Sequence, residues 1–234
     1  MDICHVIAEY CIMPDLLDWI PQNKLNWTFL SGNPAAIHLL EANPDKIHWP
    51  FLSENSAAIH LLEANLNKID WDYLSMNPTK RAIHQLEANP DKIRWYYLSV
   101  NPAAIHQLEA NPDKIHWSHL SANPAAIHLL EANPNKINWS WLSENRAAMH
   151  LLEANPDKID WKYLSMNPAA IHLLQANPDK ICWSLLSGNP AAIHLLEANP
   201  DKIYWNALSD NPAIFKINRK SVVALAHQLC DIGH

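Results

Sequence analysis

Nine tryptophans, Trp27, Trp49, Trp71, Trp95, Trp117, Trp139, Trp161, Trp183 and Trp205, recur every 22 residues, with one interval of 24 between Trp71 and Trp95. A fixed period in the range of about 20–50 residues is the mark of stacked supersecondary units, none of which buries its apolar face alone. Eight full copies begin at Asn33, Asn55, Asn77, Asn101, Asn123, Asn145, Asn167 and Asn189. Each reads close to N-P-A-A-I-H-L-L-E-A-N-P-D-K-I-x-W-x-x-L-S-x. A degenerate copy, LLDWIPQNKLNWTFLSG, precedes them.

The punctuation of the repeat is Asn-Pro, and only three glycines accompany seventeen prolines. Proline drives the preceding residue into extended geometry, the geometry of a helix N-cap, and asparagine offers the capping side-chain oxygen. Proline then occupies the first helical position, where a missing N–H costs nothing. Two Asn-Pro starts per copy predict two short helices, the first from Pro34 to about Ala42 and the second from Pro44 to about Ser53, partly 3-10 in character. In the first, Ala36, Ile37 and Leu40 share a face; in the second, Trp49, Leu52 and Ser53 do. Helices of about ten residues are unstable alone in water, so stacking is obligatory. At a helix spacing of about 8–10 Å, nine units predict a curved rod on the order of 80 Å long.

The expected fold class is therefore all-α: an α-solenoid of tandem 22-residue two-helix repeats with N- and C-terminal capping helices. Its divisions are a cap over residues 1–15, a degenerate first repeat over 16–32, eight repeats over 33–210 with two residues inserted at 79–81, and a C-terminal cap over 211–234. The apolar stripes Ile3, Val6, Ile7, Tyr10 and Val222, Leu225, Ala226, Leu229 carry the two cap assignments.

The phrases LDWIPQNKLNWTFLSGNPAAIHLLEANPDKI and NPAIFKI resemble the Asn-Pro, 22-residue helical repeat proteins that form multi-copy families in giant DNA viruses of amoebae. The likeness covers nearly the whole chain and implies an α-solenoid, not an activity. It departs from the pattern at Ser56 and Arg146, where the first proline is lost, at Leu66, where the second is lost, and at the Thr79-Lys80-Arg81 insertion.

Eight histidines, His38, His60, His84, His106, His128, His150, His172 and His194, form a column of one per first helix. Zinc requires several donors within about 2 Å of one ion, whereas successive repeats lie about 10 Å apart, so the column reads as structural, not metal-binding. If buried and neutral, these imidazoles would cost stability as pH falls below their unfolded pKa. His116 and His119, three residues apart, read as a chance pair at variable positions. A serine follows each repeat leucine nine times, which suits a local helix-end hydrogen bond better than a unique nucleophile. No phosphate loop or metalloprotease motif occurs, so no catalytic residue, metal or cofactor is assigned.

The net charge of −7 disfavours a nucleic-acid surface, and no stretch has the ~18 apolar residues of a membrane span. Each repeat lysine is expected to pair with a glutamate or to lay its stem over a tryptophan. Four scattered cysteines without C-x-x-C and an N-terminus without a signal pattern suggest a reduced, intracellular protein. For the resembled family this means the host cytoplasm or the virion.

Positions 48, 50, 51 and 54 and their counterparts vary between copies. A constant frame carrying a variable face is how a solenoid builds a binding surface. Phe51, Tyr73, Arg94, Tyr96, Tyr97, His119, Trp141 and Tyr163 are the expected protein-binding residues, on the outward side of the second helix. The expected function is a non-catalytic protein–protein scaffold with a host or viral partner. The alternatives are a self-associating virion component and a hydrolase or metal protein using the histidine column.

Overall fold

A computed structural model describes residues 14–216. The chain is an all-α repeat protein in which each 22-residue unit contributes two helices, as its period requires. Each Asn33-type residue caps its own helix: its Oδ1 accepts from the N–H two residues on, at 2.9–3.1 Å in all nine instances. One 3-10 turn, Pro34–Ala36, then leads into the α-turns of Ile37–Ala42.

The second Asn-Pro works differently from the expectation. Asn43 does not cap the following turn; its side-chain amide donates back to the Leu39 carbonyl at 2.9 Å and so closes the helix behind it. The predicted second helix also divides in two. Pro44–Lys46 forms a 3-10 turn, Ile47 and His48 are extended, and Trp49–Glu54 is the α-helix proper.

The core is a double row of fully buried leucines, such as Leu40, Leu52, Leu62 and Leu74, with the alanines Ala36, Ala58, Ala82 and their counterparts between them. Alanine at that position lets successive first helices approach closely, while leucine fills the space between first and second helices. Burying one leucine contributes roughly 1.5–3 kcal/mol, available only when a neighbouring repeat is present.

The expected rod is contradicted by the contacts between the chain ends: the repeats close into a ring. The strand Asp15–Leu16 (β1) pairs antiparallel with Phe215–Lys216 (β2), Asp15 opposite Lys216 and Leu16 opposite Phe215. The helix Trp27–Leu30 packs on Trp205–Asp210 as Trp49–Glu54 packs on Trp71–Leu74, and the turn Pro34–Ala36 packs on Pro212–Ile214. A ninth repeat is thus assembled from both ends. Asn211–Lys216 supplies the start of its first helix, and residues 15–32 supply the remainder. Ile214 occupies the fully buried place that alanine holds elsewhere. The ~80 Å path becomes a circumference, which puts opposing helices about 25 Å apart.

Capping at the ring's ends is accordingly mutual. Where a C-terminal cap helix was expected from residue 211, the described part is a 3-10 turn followed by β2, and Asp15 at the end of the expected N-terminal cap lies in β1. Residues 1–13 and 217–234, which hold the two apolar stripes, lie outside the described residues. The Thr79–Arg81 insertion is absorbed by extending one first helix to Lys80–Ala88, with Thr79 as N-cap, and the ring passes through it unbroken.

Candidate functional site

Two hydrogen-bond ladders hold neighbouring repeats together, and both close. The side-chain amide of each Asn33-type residue donates to two carbonyls on either side of the preceding repeat's start, the end of one repeat and the first residue of the next, as Asn55 does to Ser31 and Asn33, at 2.9–3.1 Å throughout. These asparagines are at most 1% exposed, so each amide serves as N-cap and inter-repeat staple at once. The nine serines do comparable double duty. Each Oγ donates to the tryptophan carbonyl four residues earlier and accepts from the position-48 N–H of the next repeat, as Ser31 does with Trp27 (2.8 Å) and His48 (3.0 Å). Ser209 completes the circle on Asn26 N–H at 2.8 Å. Wholly buried and so engaged, the serines are structural, as expected.

The histidine column is not buried. His60, His84, His106, His128, His150, His172 and His194 are exposed, and only His38 is half-buried. Several of them meet the preceding repeat's glutamate: His60 with Glu41 and His128 with Glu109 at 2.8 Å, His150 with Glu131 at 2.9 Å. Short first helices leave their last turn on the ring's outside, where long polar side chains meet. His38, set edge-on against Phe215, has its pKa lowered, chiefly by burial. The proposed acid sensitivity of all eight therefore fails in its premise. Among the described residues no three metal-ligating side chains come together.

Most of the repeat lysines lie over a tryptophan, as expected, while Lys92 and Lys114 turn to Asp91 and Asp113 at 3.5 and 3.6 Å. Lys46 lies over Trp27, Lys68 over Trp49, Lys136 over Trp117, Lys158 over Trp139, Lys180 over Trp161 and Lys202 over Trp183, with ammonium-to-ring distances of 4.1–4.6 Å. Lys24 over Trp205, at 5.8 Å, carries the pattern across the closure.

The second helices line the inside of the ring. Asp210 and Glu54 belong to repeats on either side of Gly32, yet both carboxylates reach the same point: a Cβ on Gly32 would lie 2.9 Å from one and 3.3 Å from the other. Side chains two repeats apart meet only near the axis. There burial pushes the Glu54 carboxyl up to about 8, helped by Asp210; burial alone pushes Asp210 to about 6 and Glu144 to about 7. The Asp210 residue is nonetheless exposed to solvent, so water reaches the carboxylates at that point of the bore.

Inward placement alters the expected binding ridge. Phe51, Tyr73, Tyr97, Trp141 and Tyr163 are half-buried and His119 is buried, each in ring contact with a neighbour, with Tyr96 bridging Tyr97 and His119. Ring centroids lie 5.4 Å apart for Phe29–Phe51, 5.2 Å for Phe51–Tyr73, 6.5 Å for Tyr73–Tyr97, 4.4 Å for His119–Trp141 and 6.0 Å for Trp141–Tyr163. The column is an inner aromatic band, not an outward ridge, because closure brings position 51 of adjacent repeats within stacking distance.

Exposure is kept by Arg94 and Tyr96, which flank the N-terminal end of their second helix. Arg94 is held by Asp72 at 2.8 Å. Tyr96 covers both His119 (centroids 3.6 Å) and His116 (4.7 Å). The two imidazoles share a hydrogen bond, Nδ1 to Nδ1, at 2.9 Å, so the pair is an organised contact and not an accident of sequence. Burial, then the charge of His116, lowers the His119 pKa to about 4. All nine second helices point the same way round the ring, so this cluster and the exposed Lys162, Tyr204 and Asn206 belong to one rim. Sequence variability marks this helix end, and closure separates its exposed positions from those in ring contact.

Comparison with protein-family models, with curated proteins and with solved structures gave no match. Among the described residues no helix is long and apolar enough to cross a membrane. The repeated helical architecture is that of a scaffold-type repeat protein.

Proposed function

We propose that this ring is a non-catalytic scaffold that binds a protein partner through the rim formed by the N-terminal ends of its second helices. One observation carries the reading: the frame of asparagine, serine, leucine and alanine is constant, while positions 48 and 50 vary and, in one sector, expose Arg94, Tyr96 and His116. Tyrosine and arginine at a rigid rim bury large area at small entropic cost. The repeat serines and histidines support no reaction, being structural or scattered round the outside. Among the described residues closure leaves no free repeat end, so self-association, the alternative reading, would have to use the rim as well. The resemblance of the repeat phrases supports a partner in a virus-infected host cell or in the virion.

The test is affinity capture with the wild-type ring against Arg94→Ala/Tyr96→Ser and Tyr204→Ser variants. A partner held by the wild type and released by the variants, at unchanged helical circular dichroism, supports the proposal. Equal capture by all three overturns it.

A further inference from the structure

The repeat regularity supplies an internal control, and it breaks at two adjacent tryptophans, Trp71 and Trp95, where Lys92 and Lys114 turn to Asp91 and Asp113 instead; a cavity accompanies the break at Trp71. Trp71 should carry Lys92 as Trp49 carries Lys68, but Lys92 turns to Asp91 at 3.5 Å. Among the described residues no cation lies over Trp71. Beside it opens a cavity of about 580 Å³, lined by Trp71, Leu66, Glu63, Arg81, Gln85 and Ala88 among others. That volume falls within the range of about 300–1,000 Å³ typical of small-molecule sites.

Three departures from the repeat make this cavity. Leu66, 63% exposed, replaces the second proline and adds an apolar wall. The insertion lengthens the next first helix to Lys80–Ala88 and brings Arg81 to the mouth, paired with Glu63 at 3.4 Å. Gln85 replaces the leucine found at Leu39, Leu61, Leu129, Leu151, Leu173 and Leu195, and its Oε1 is buried without a hydrogen-bond partner. With Arg81 and Glu63 neutralising each other, the electron-rich groups of the lining include the Trp71 ring and the Gln85 oxygen, alongside His84 and Asn89. Gln107 is the same replacement one repeat later and its Oε1 is likewise buried without a partner, but its NH2 group donates to Glu87 at 2.8 Å and its repeat keeps Pro112, so no leucine wall stands beside it.

We infer that the Trp71 cavity binds a small primary alkylammonium ion, with the ammonium over the indole and one N–H donated to Gln85 Oε1, and the alkyl chain against Leu66 and Ala88. The chain itself shows what this indole face accepts, because six equivalent tryptophans hold a lysine ammonium at 4.1–4.6 Å. A buried acceptor lacking a donor is the second half of the complementarity. The site lies on the helices either side of the insertion and does not depend on the rim reading.

The test is titration of the full chain with n-butylammonium chloride, followed by the NMR shift of the Trp71 indole N–H, assigned by its loss in Trp71→Leu. A saturable shift is expected, weakened at least tenfold in Gln85→Leu, which restores the residue of the regular repeats and keeps the fold. The isosteric alcohol n-butanol is expected not to reproduce it. No saturable shift in the wild type, an equal shift in Gln85→Leu, or equal binding of n-butanol overturns the site.

Discussion

Asn33 donates its side-chain amide to the carbonyls of Ser209 at 3.0 Å and Asn211 at 3.1 Å, residues 176 and 178 positions away in the chain. The same two bonds join Asn101 to Ser75 and Asn77, both at 2.9 Å, within the body of the repeat array. In a closed ring the two asparagines are equivalent. Each Asn→Ala change removes one cap bond and two buried inter-repeat bonds, and should cost about 3 kcal/mol. Chemical denaturation of Asn33→Ala and Asn101→Ala checks this. In an open array Asn33→Ala would lose only its cap, about 1 kcal/mol, and a threefold gap between the variants would refute closure.

Leu16 and Phe215 are register partners across β1 and β2. In a chain whose four native cysteines are changed to serine, Leu16→Cys/Phe215→Cys should oxidise to an intramolecular disulfide in a monomer. The bridge would raise stability by about 2–4 kcal/mol, because it closes most of the chain into one loop. Non-reducing electrophoresis reads the outcome, and crosslinked dimers alone would mean that the ends do not meet.

The Glu54 carboxyl titrates at about 8 in the folded ring, against 4.5 for the unfolded chain. The folded state therefore holds a proton that the unfolded state has released, so stability is full below pH 4.5 and declines as pH rises towards 8. Glu54→Gln should be neutral at pH 4.5 and stabilise the ring by about 2 kcal/mol or more at pH 8. Melting temperatures at the two pH values decide it; an equal effect at both would mean that Glu54 is not confined beside Asp210.

His119 has the opposite sign. Its folded pKa of about 4 lies below the ordinary 6.5, so the stability it permits is complete above pH 6.5 and drains away as pH falls towards 4. His119→Tyr, which installs the residue of neighbouring repeats, should remove on the order of 1–2 kcal/mol of that acid sensitivity. Denaturation at pH 7.5 and 5 checks it, and an unchanged difference between the two would sink the assignment.

Much of this molecule was legible one copy at a time. Asn33 with Pro34 announced a capped helix start, Leu40 and Leu52 announced the buried stripes, and Lys46 announced its place over Trp27. Single-copy reasoning misassigned groups whose partner sits in another repeat. Asn43 looked like a second N-cap but serves the helix behind it. The histidines looked like core because their helix is apolar, yet the last turns face outward and His60 meets Glu41 in solvent. Phe51 and Tyr73 looked exposed because position 51 varies, whereas each completes a stack begun one repeat earlier. The cavity beside Trp71 was visible only as an insertion and a lost proline.

The sequence by itself determined the unit: its length, its helix starts, its apolar faces and the need for neighbours, all set by interactions within about one turn of helix or one repeat. Tertiary structure alone decided that the array closes. The rotation between successive units is set by how deeply Ala36 and its counterparts let one helix sink against the next, a small angle repeated nine times. Whether the sum returns β2 to β1 is a property of the whole circle, and no single copy contains it.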